Sequence, residues 1–215
     1  MYDMMRLLFI LALLAFPLSY SYSYRSCRSY RQSQVMMAGG VVRGDKFPII
    51  LRIAEESKRG IIKDRSDEMK ALLEAVALQN FEFMRRNAGK PRQIDGCWEL
   101  LWTTEKETLF FAQYGLFGAK CTSISQTIDT TKNKIVNSIG FENDKEFTVN
   151  GDLFLNDDNQ LRVNFKFSKA VLGLSSSLRL SVPPVGAGWF DNLYVNDRYR
   201  ISRDIRGDWL LSRRV

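Results

Sequence analysis

Apolar residues recur with the period of a helix up to about residue 84, and from Gly96 onward they alternate with a period of two. The first stretch predicts two helices. Asp45 to Ser57 places Ile49, Ile50, Ile53 and Ala54 near one face, and Lys58-Arg59-Gly60 supplies the cations and the glycine that end a helix. Asp64 or Ser66 can cap the second, whose stripe is Met69, Leu72, Leu73, Val76 and Ala77. That helix runs to about Phe83 or Met84, and Asn87-Ala-Gly-Lys-Pro91 breaks it.

The second stretch predicts strands. Trp98, Leu100 and Trp102 share a face; so do Ile124 and Ile128, then Ile135, Ile139 and Phe141. Phe147 and Val149, Leu153 and Leu155, and Leu161, Val163, Phe165 and Phe167 continue the alternation, with a turn at Asp157-Asp-Asn159. Leu178 to Val182 leads to Pro183-Pro184, where pairing must stop. Short strands in this number, each with one apolar side, predict an antiparallel barrel of about eight or nine strands. A barrel of that size has room inside for one small ligand.

Two registers follow from turn lengths. If Thr130-Thr-Lys-Asn133 is a four-residue loop, Ile128 pairs with Ile135 and Ile124 with Ile139, and the amides Gln126 and Asn137 land side by side in an apolar wall. They satisfy each other, or a spare N–H holds the polar head of a ligand. Near the end of the chain, a two-residue turn at Asn196-Asp197 pairs Val195 with Arg198, and a three-residue turn at Ile205-Arg206-Gly207 pairs Asp204 with Asp208. Tyr194, Tyr199, Ile201, Trp209 and Leu211 then share one face, expected as an inner core wall, with Arg213 opposite Tyr199. Arg198 and Arg200 are expected to face away from that wall, where they can meet anionic lipid headgroups. Two intervals break the meander. Glu105 to Lys120 is a lid over the mouth or a buried crossover, and the Gly/Ser-rich Ala170 to Ser177 is a mobile loop.

Composition narrows the chemistry. The 215 residues contain no histidine, which removes His-based triads and His metal sites. The three cysteines, 27, 97 and 121, show neither a CxxC nor metal-ligand spacing, although Cys97 and Cys121 could meet on neighbouring strands. Asp197, Asp204 and Asp208 sit at hairpin ends, where Asp serves turns rather than paired-carboxylate hydrolysis. Gly186-Ala-Gly188 has no Lys or helix start after it and is no phosphate loop. No catalytic residue, cofactor or metal is expected.

Residues 1–40 have the anatomy of a leader. Arg6 precedes the apolar run Leu7 to Leu18, shorter than the about 20 residues that span a bilayer, and Ser19 to Ala38 carries Arg25, Arg28 and Arg31 with no acid. A signal-like run followed by a transit-like stretch resembles the bipartite presequence of algae with complex plastids. Without residues 1–40 the formal net charge falls from +7 to +4, and no nucleic-acid partner is expected. The expected organisation is a leader over 1–40, a helical segment over 41–92 and a barrel over 93–215.

Three motifs in order carry a family resemblance: Gly96-Cys-Trp98-Glu-Leu-Leu-Trp-Thr-Thr104, Ile124-Ser-Gln-Thr-Ile-Asp129, and Trp189 through Tyr194 and Arg200-Ile201-x-Arg203-Asp204 to Arg206-Gly207-Asp208. Over roughly residues 45–214 the chain resembles the plastid lipid-associated proteins, or fibrillins. The resemblance implies a lipocalin-like barrel that binds a prenylquinone, carotenoid or similar lipid at a thylakoid or plastoglobule surface, without catalysis. Alternatives are an accessory protein for a plastid lipid-synthesis enzyme, with a filled barrel, and a secreted lipid carrier. The candidate lining is Trp98, Leu100, Trp102, Gln126, Asn137, Phe165, Phe167, Tyr194, Tyr199 and Trp209. Gly96-x-Trp98 also resembles the lipocalin motif in which a last-strand Arg packs across the Trp, a role that the derived register assigns to Arg213.

Overall fold

The structure, a computed structural model, describes residues 46–81, 94–155, 161–183 and 186–215. The leader, the Asn87–Pro91 breaker and the Asp157–Asn159 turn lie outside them. The described elements are α1 (Phe47–Glu56), a 3-10 turn (Lys58–Gly60), α2 (Ser66–Gln79), β1 (Gly96–Thr103), α3 (Lys106–Tyr114), β2 (Cys121–Asp129), β3 (Lys134–Phe141) and β4 (Glu146–Leu155). They continue with β5 (Arg162–Gly173), β6 (Arg179–Val182), β7 (Ala187–Val195), β8 (Tyr199–Asp204) and β9 (Trp209–Arg214).

Each strand pairs antiparallel, in the order β4-β3-β2-β1-β9-β8-β7-β5, and a further pairing of β4 with β5 closes eight strands into a ring. Closure leaves no long unpaired edge in the ring. β6 and β7 follow one another along the same edge of β5, β6 on Ala170–Gly173 and β7 on Arg162–Lys166. β6 ends at Val182, just before Pro183, which has no N–H to give to a ladder. The expected loop at Ala170–Ser177 is instead strand as far as Gly173, with a short hairpin turn beyond it.

The β2–β3 register is the derived one: Ile128 faces Ile135, Gln126 faces Asn137 and Ile124 faces Ile139. So is β8–β9, with Tyr199 opposite Arg213 and Ile201 opposite Leu211, and Gly207 supplies the positive φ of 83° in the turn. The β7–β8 turn differs. Val195 pairs with Arg200 rather than Arg198, and the Asn196 side chain accepts hydrogen bonds from the amides of Arg198 and Tyr199 at 2.8 and 2.6 Å. The slip at the turn is by two residues, which keeps Val195 and Tyr194 on their faces, and a register shift between Asn192 and Tyr194 then turns Asn192 inward. Cys97 pairs with Thr127 and Cys121 with Phe141, so the two cysteines do not meet.

The sides of the ring are the main correction. Tyr194, Tyr199, Ile201, Trp209 and Leu211 do share a face, but it is the outer one, and helices cover it. Phe47 of α1 stacks on Tyr199 with ring centroids 4.7 Å apart and tilts against Tyr194 at 5.3 Å. Ile50, Ile53 and Ala54 of α1, and Met69, Leu73 and Val76 of α2, complete this buried layer, whereas Ile49 points to solvent. Burying a side chain of this kind stabilises by about 1.5–3 kcal/mol, so an outer wall under two helices satisfies the apolar pattern as well as an inner one. A register shift between Leu100 and Trp102 divides β1: Leu100 faces Ser212 on the inside, and Trp102 faces Leu211 on the outside. The 3-10 turn sits on Trp102 so closely that a Cβ at Gly60 would lie 2.3 Å from the Thr103 carbonyl oxygen.

Candidate functional site

The interior of the ring has a floor, a polar belt and a mouth. The floor is built by Gly96-x-Trp98. The Trp98 Nε1–H donates to the Ile94 carbonyl at 2.8 Å, and the Arg214 guanidinium lies 4.2 Å from the Trp98 ring centroid and donates to the Asp95 carbonyl. A Cβ at Gly96, whose φ is 129°, would stand 2.5 Å from Arg214 Nη1, so glycine is required for this crossing. The last-strand arginine of the lipocalin-like motif is therefore Arg214, not Arg213. Arg213 points outward and pairs with Glu99 at 2.6 Å.

Above the floor, Trp98, Leu100, Gln126, Asn137, Asn192, Arg200, Ser202 and Ser212 point inward along the paired registers. Arg200 is 2% exposed, although the strand alternation suggested a surface role for it. Its Nη2–H donates to Gln126 Oε1 at 2.5 Å and its Nε–H to Ser212 Oγ at 3.4 Å. Gln126 Nε2–H in turn donates to Asn137 Oδ1 at 2.9 Å. The two amides do bond each other, and Arg200 occupies the remaining acceptor of Gln126. Burial and the nearby Arg214 charge push the Arg200 guanidinium down to about 9, still cationic at neutral pH. The layer below this belt is apolar, with Ile128, Ile135, Leu153, Val163 and Phe190; the layer above holds Ile124, Ile139, Phe147 and Leu172. Gln126, Asn137, Ile139, Val149 and Phe165 are only partly buried although they face inward, so solvent reaches this interior.

α3 crosses the mouth, which fits the lid expectation for Glu105–Lys120. Its Phe111 ring lies 6.1 Å from Phe141 and 5.9 Å from Phe147, on the strand ends that rim the opening. Glu105, at the N-terminus of α3, accepts a hydrogen bond from Thr108 and faces Arg206 in the β8–β9 turn. Burial, with the Asp204 and Asp208 charges, pushes its carboxyl up to about 7. Tyr114, Phe117, Leu178 and Ile205 are exposed apolar residues on the turns and helix end at this same rim.

Of the candidate lining, Trp98, Leu100, Gln126, Asn137 and Phe165 line the interior, and Phe167 continues the face of Phe165 at 4.9 Å. Trp102, Tyr194, Tyr199 and Trp209 do not, because the β1 bulge and the helix-covered hairpin turn them outward. Arg198 is exposed as expected, and Arg200 is not. Asn192, Ser202, Ser212 and Arg214 are interior residues beyond that candidate set. Their signal is the polar alternation Arg200-x-Ser202 and Ser212-x-Arg214, opposite an apolar face that two predicted helices were available to cover. A separate cleft of roughly 560 Å³ lies outside the ring, between α1, the 3-10 turn and β1, with Leu51, Leu101, Tyr199 and Arg213 in its walls.

A closed antiparallel ring with an arginine–tryptophan floor, an apolar interior and a helix across its mouth defines a lipocalin-like protein. The PAP_fibrillin family model matches residues 49–211, from within α1 to the middle of β9. The chain belongs to the PAP_fibrillin family. It is 35% identical over 164 residues to the probable plastid-lipid-associated protein 11, chloroplastic, of Arabidopsis thaliana, an alignment that covers 75% of this chain and 76% of that protein. No solved structure matches it.

Proposed function

We propose that the protein is a non-enzymatic, plastid lipid-associated protein that takes a hydrophobic isoprenoid or other lipid, such as a prenylquinone or carotenoid, into its ring at a thylakoid or plastoglobule surface. The observation that carries this reading is the partly accessible interior, in which apolar layers flank a few convergent polar groups, the usual make-up of a small-molecule site. The exposed apolar rim of Tyr114, Phe117, Leu178 and Ile205 gives the mouth a side that suits a lipid surface. The chloroplastic relative favours the plastid. The test is mass spectrometry of an organic extract of the protein purified natively from plastids. A stoichiometric lipid supports the reading. An empty extract, together with no binding of added lipids, contradicts it and favours a filled ring that serves as a scaffold.

A further inference from the structure

Among the charged side chains of the ring strands, Arg200 stands apart. The carboxylates are committed elsewhere: Glu99 to Arg213 at 2.6 Å, Asp129 to Lys132 at 2.8 Å, Glu146 to Arg179 at 2.7 Å and Asp191 to Arg162 at 2.9 Å. Asp152 pairs with Lys134. Asp204 accepts hydrogen bonds from the amides of Arg206 and Asp208 within its own turn. Among the described residues, none of these acids enters the interior belt to meet Arg200. Its guanidinium is buried, its neutral partners are Gln126 and Ser212, and its Nη1 has no hydrogen-bond partner. The aromatic faces beside it, Trp98 at 5.3 Å and Phe190 at 5.5 Å from Cζ, attract a cation but carry no formal charge to neutralise it. A second cation, Arg214, shares the Trp98 ring.

A buried cation without an acid is costly, because neutral amides and hydroxyls satisfy N–H groups but do not neutralise charge. A water molecule would have the same limitation. The planar guanidinium matches a carboxylate or phosphate, and the two N–H bonds of the buried Nη1 have no partner. The position also suits an amphiphile. The belt lies deep in the ring, and the layer toward the mouth is Ile124, Ile139, Phe147 and Leu172, which would cover an acyl or prenyl chain.

We propose that Arg200 is an anion subsite inside the ring, and that the lipid held there is a single-chain amphiphile with a carboxylate headgroup, its chain directed to the mouth under α3. This deepens the reading of the ring as a lipid site and rests on it. Replacing the headgroup charge by a neutral ester leaves the chain contacts unchanged and removes the ionic hydrogen bond.

The test is fluorescence titration of the protein with cis-parinaric acid, its methyl ester and a decyl-benzoquinone, followed by thermal denaturation with and without each. The acid should bind about 10- to 100-fold more tightly than the ester. Arg200→Gln should abolish that ratio while retaining ester binding, and it should fold, because it removes an uncompensated buried charge. The acid should raise the melting temperature of the native protein and not that of the variant. Equal affinity for acid, ester and quinone would overturn the anion subsite and leave the lipid site standing. Failure of all three to bind would overturn both. Displacement of the acid by millimolar inorganic phosphate, with no dependence on chain length, would point to a free anion and overturn the amphiphile. If the variant did not fold, the comparison of acid with ester on the native protein would still decide the matter.

Discussion

On the outer side of the β8–β9 hairpin, Tyr199, Ile201 and Leu211 lie under α1 in a dry layer that includes Phe47 and Ile50. On the inner side of the same two strands, Arg200, Ser202 and Ser212 are as fully buried, yet all are polar. Ile201 and Leu211 on one side and Arg200, Ser202 and Ser212 on the other are all buried, and the two sides divide the work. The apolar side stabilises the fold through burial, whereas the polar side gives up stability to bury hydrogen-bonding groups inside the ring. The apolar face of a strand therefore marks the side with the larger permanent partner, here a helix layer, and not necessarily the inside of the ring.

This contrast predicts the largest effect for the outer side. Leu211→Ala should destabilise by about 2–5 kcal/mol in chemical denaturation, as truncation of a fully buried leucine does. Ser212→Ala, its inner neighbour, should cost less, about 1 kcal/mol, since its hydroxyl makes two long hydrogen bonds to Arg200, accepting from Nε–H and donating to the carbonyl, each at 3.4 Å. Similar costs for the two would break the comparison.

The two terminal arginines sharpen it next. Arg214, stacked on buried Trp98, should cost about 2 kcal/mol when changed to alanine, and Arg213, in an exposed pair with Glu99, about 0–1 kcal/mol. Equal melting temperatures for Arg213→Ala and Arg214→Ala would refute the floor as described.

At the rim, a third group shows how burial is tolerated by taking up a proton. The Glu105 carboxyl is raised from 4.5 to about 7, so the folded state binds a proton that the unfolded state releases. Its contribution is fully present below pH 4.5 and is lost as the pH rises through 7, since stability falls wherever the folded state holds more protons. Glu105→Gln should therefore leave stability near pH 4 almost unchanged and raise it at pH 8. The shift corresponds to about 3 kcal/mol at most, reduced to about 1–2 kcal/mol because the side chain is 20% exposed. Melting curves at the two pH values check this, and a variant that was less stable at pH 8 would contradict it.

Much of this architecture was legible because β-strands alternate strictly and turns fix their register. The four-residue loop at Thr130–Asn133 was enough to bring Gln126 beside Asn137, and Gly207 was enough to align β8 with β9. Sidedness was not legible in the same way. Alternation says which residues share a face, but not which face is inside, and the helix stripe that covers Ile201 and Leu211 lies about 150 residues earlier in the chain. The bulge that separates Leu100 from Trp102 has no sequence mark, and strict alternation alone puts Trp102 on the same side as Trp98. The same inversion assigned the floor arginine to position 213 instead of 214. Arg200 was hidden for a different reason: an arginine in a strand is ordinarily a solvated residue, and Asp204, on the same face by alternation, is an acid that could partner it at the surface.

The central claim is that the face carrying Trp98 and Arg200, and not the one carrying Tyr199 and Leu211, is the one that meets lipid. The four tryptophans report on it directly, since Trp98 is inside and Trp102, Trp189 and Trp209 are outside the ring. Indole N–H and arginine Nε–H resonances of the isotopically labelled protein can be followed while oleate and a decyl-benzoquinone are added in turn. Shifts of the Trp98 indole and the Arg200 Nε–H, with Trp102 and Trp209 unmoved, are the predicted result. Shifts of Trp102 and Trp209 with Trp98 and Arg200 unmoved would place the lipid on the outer face and contradict the account.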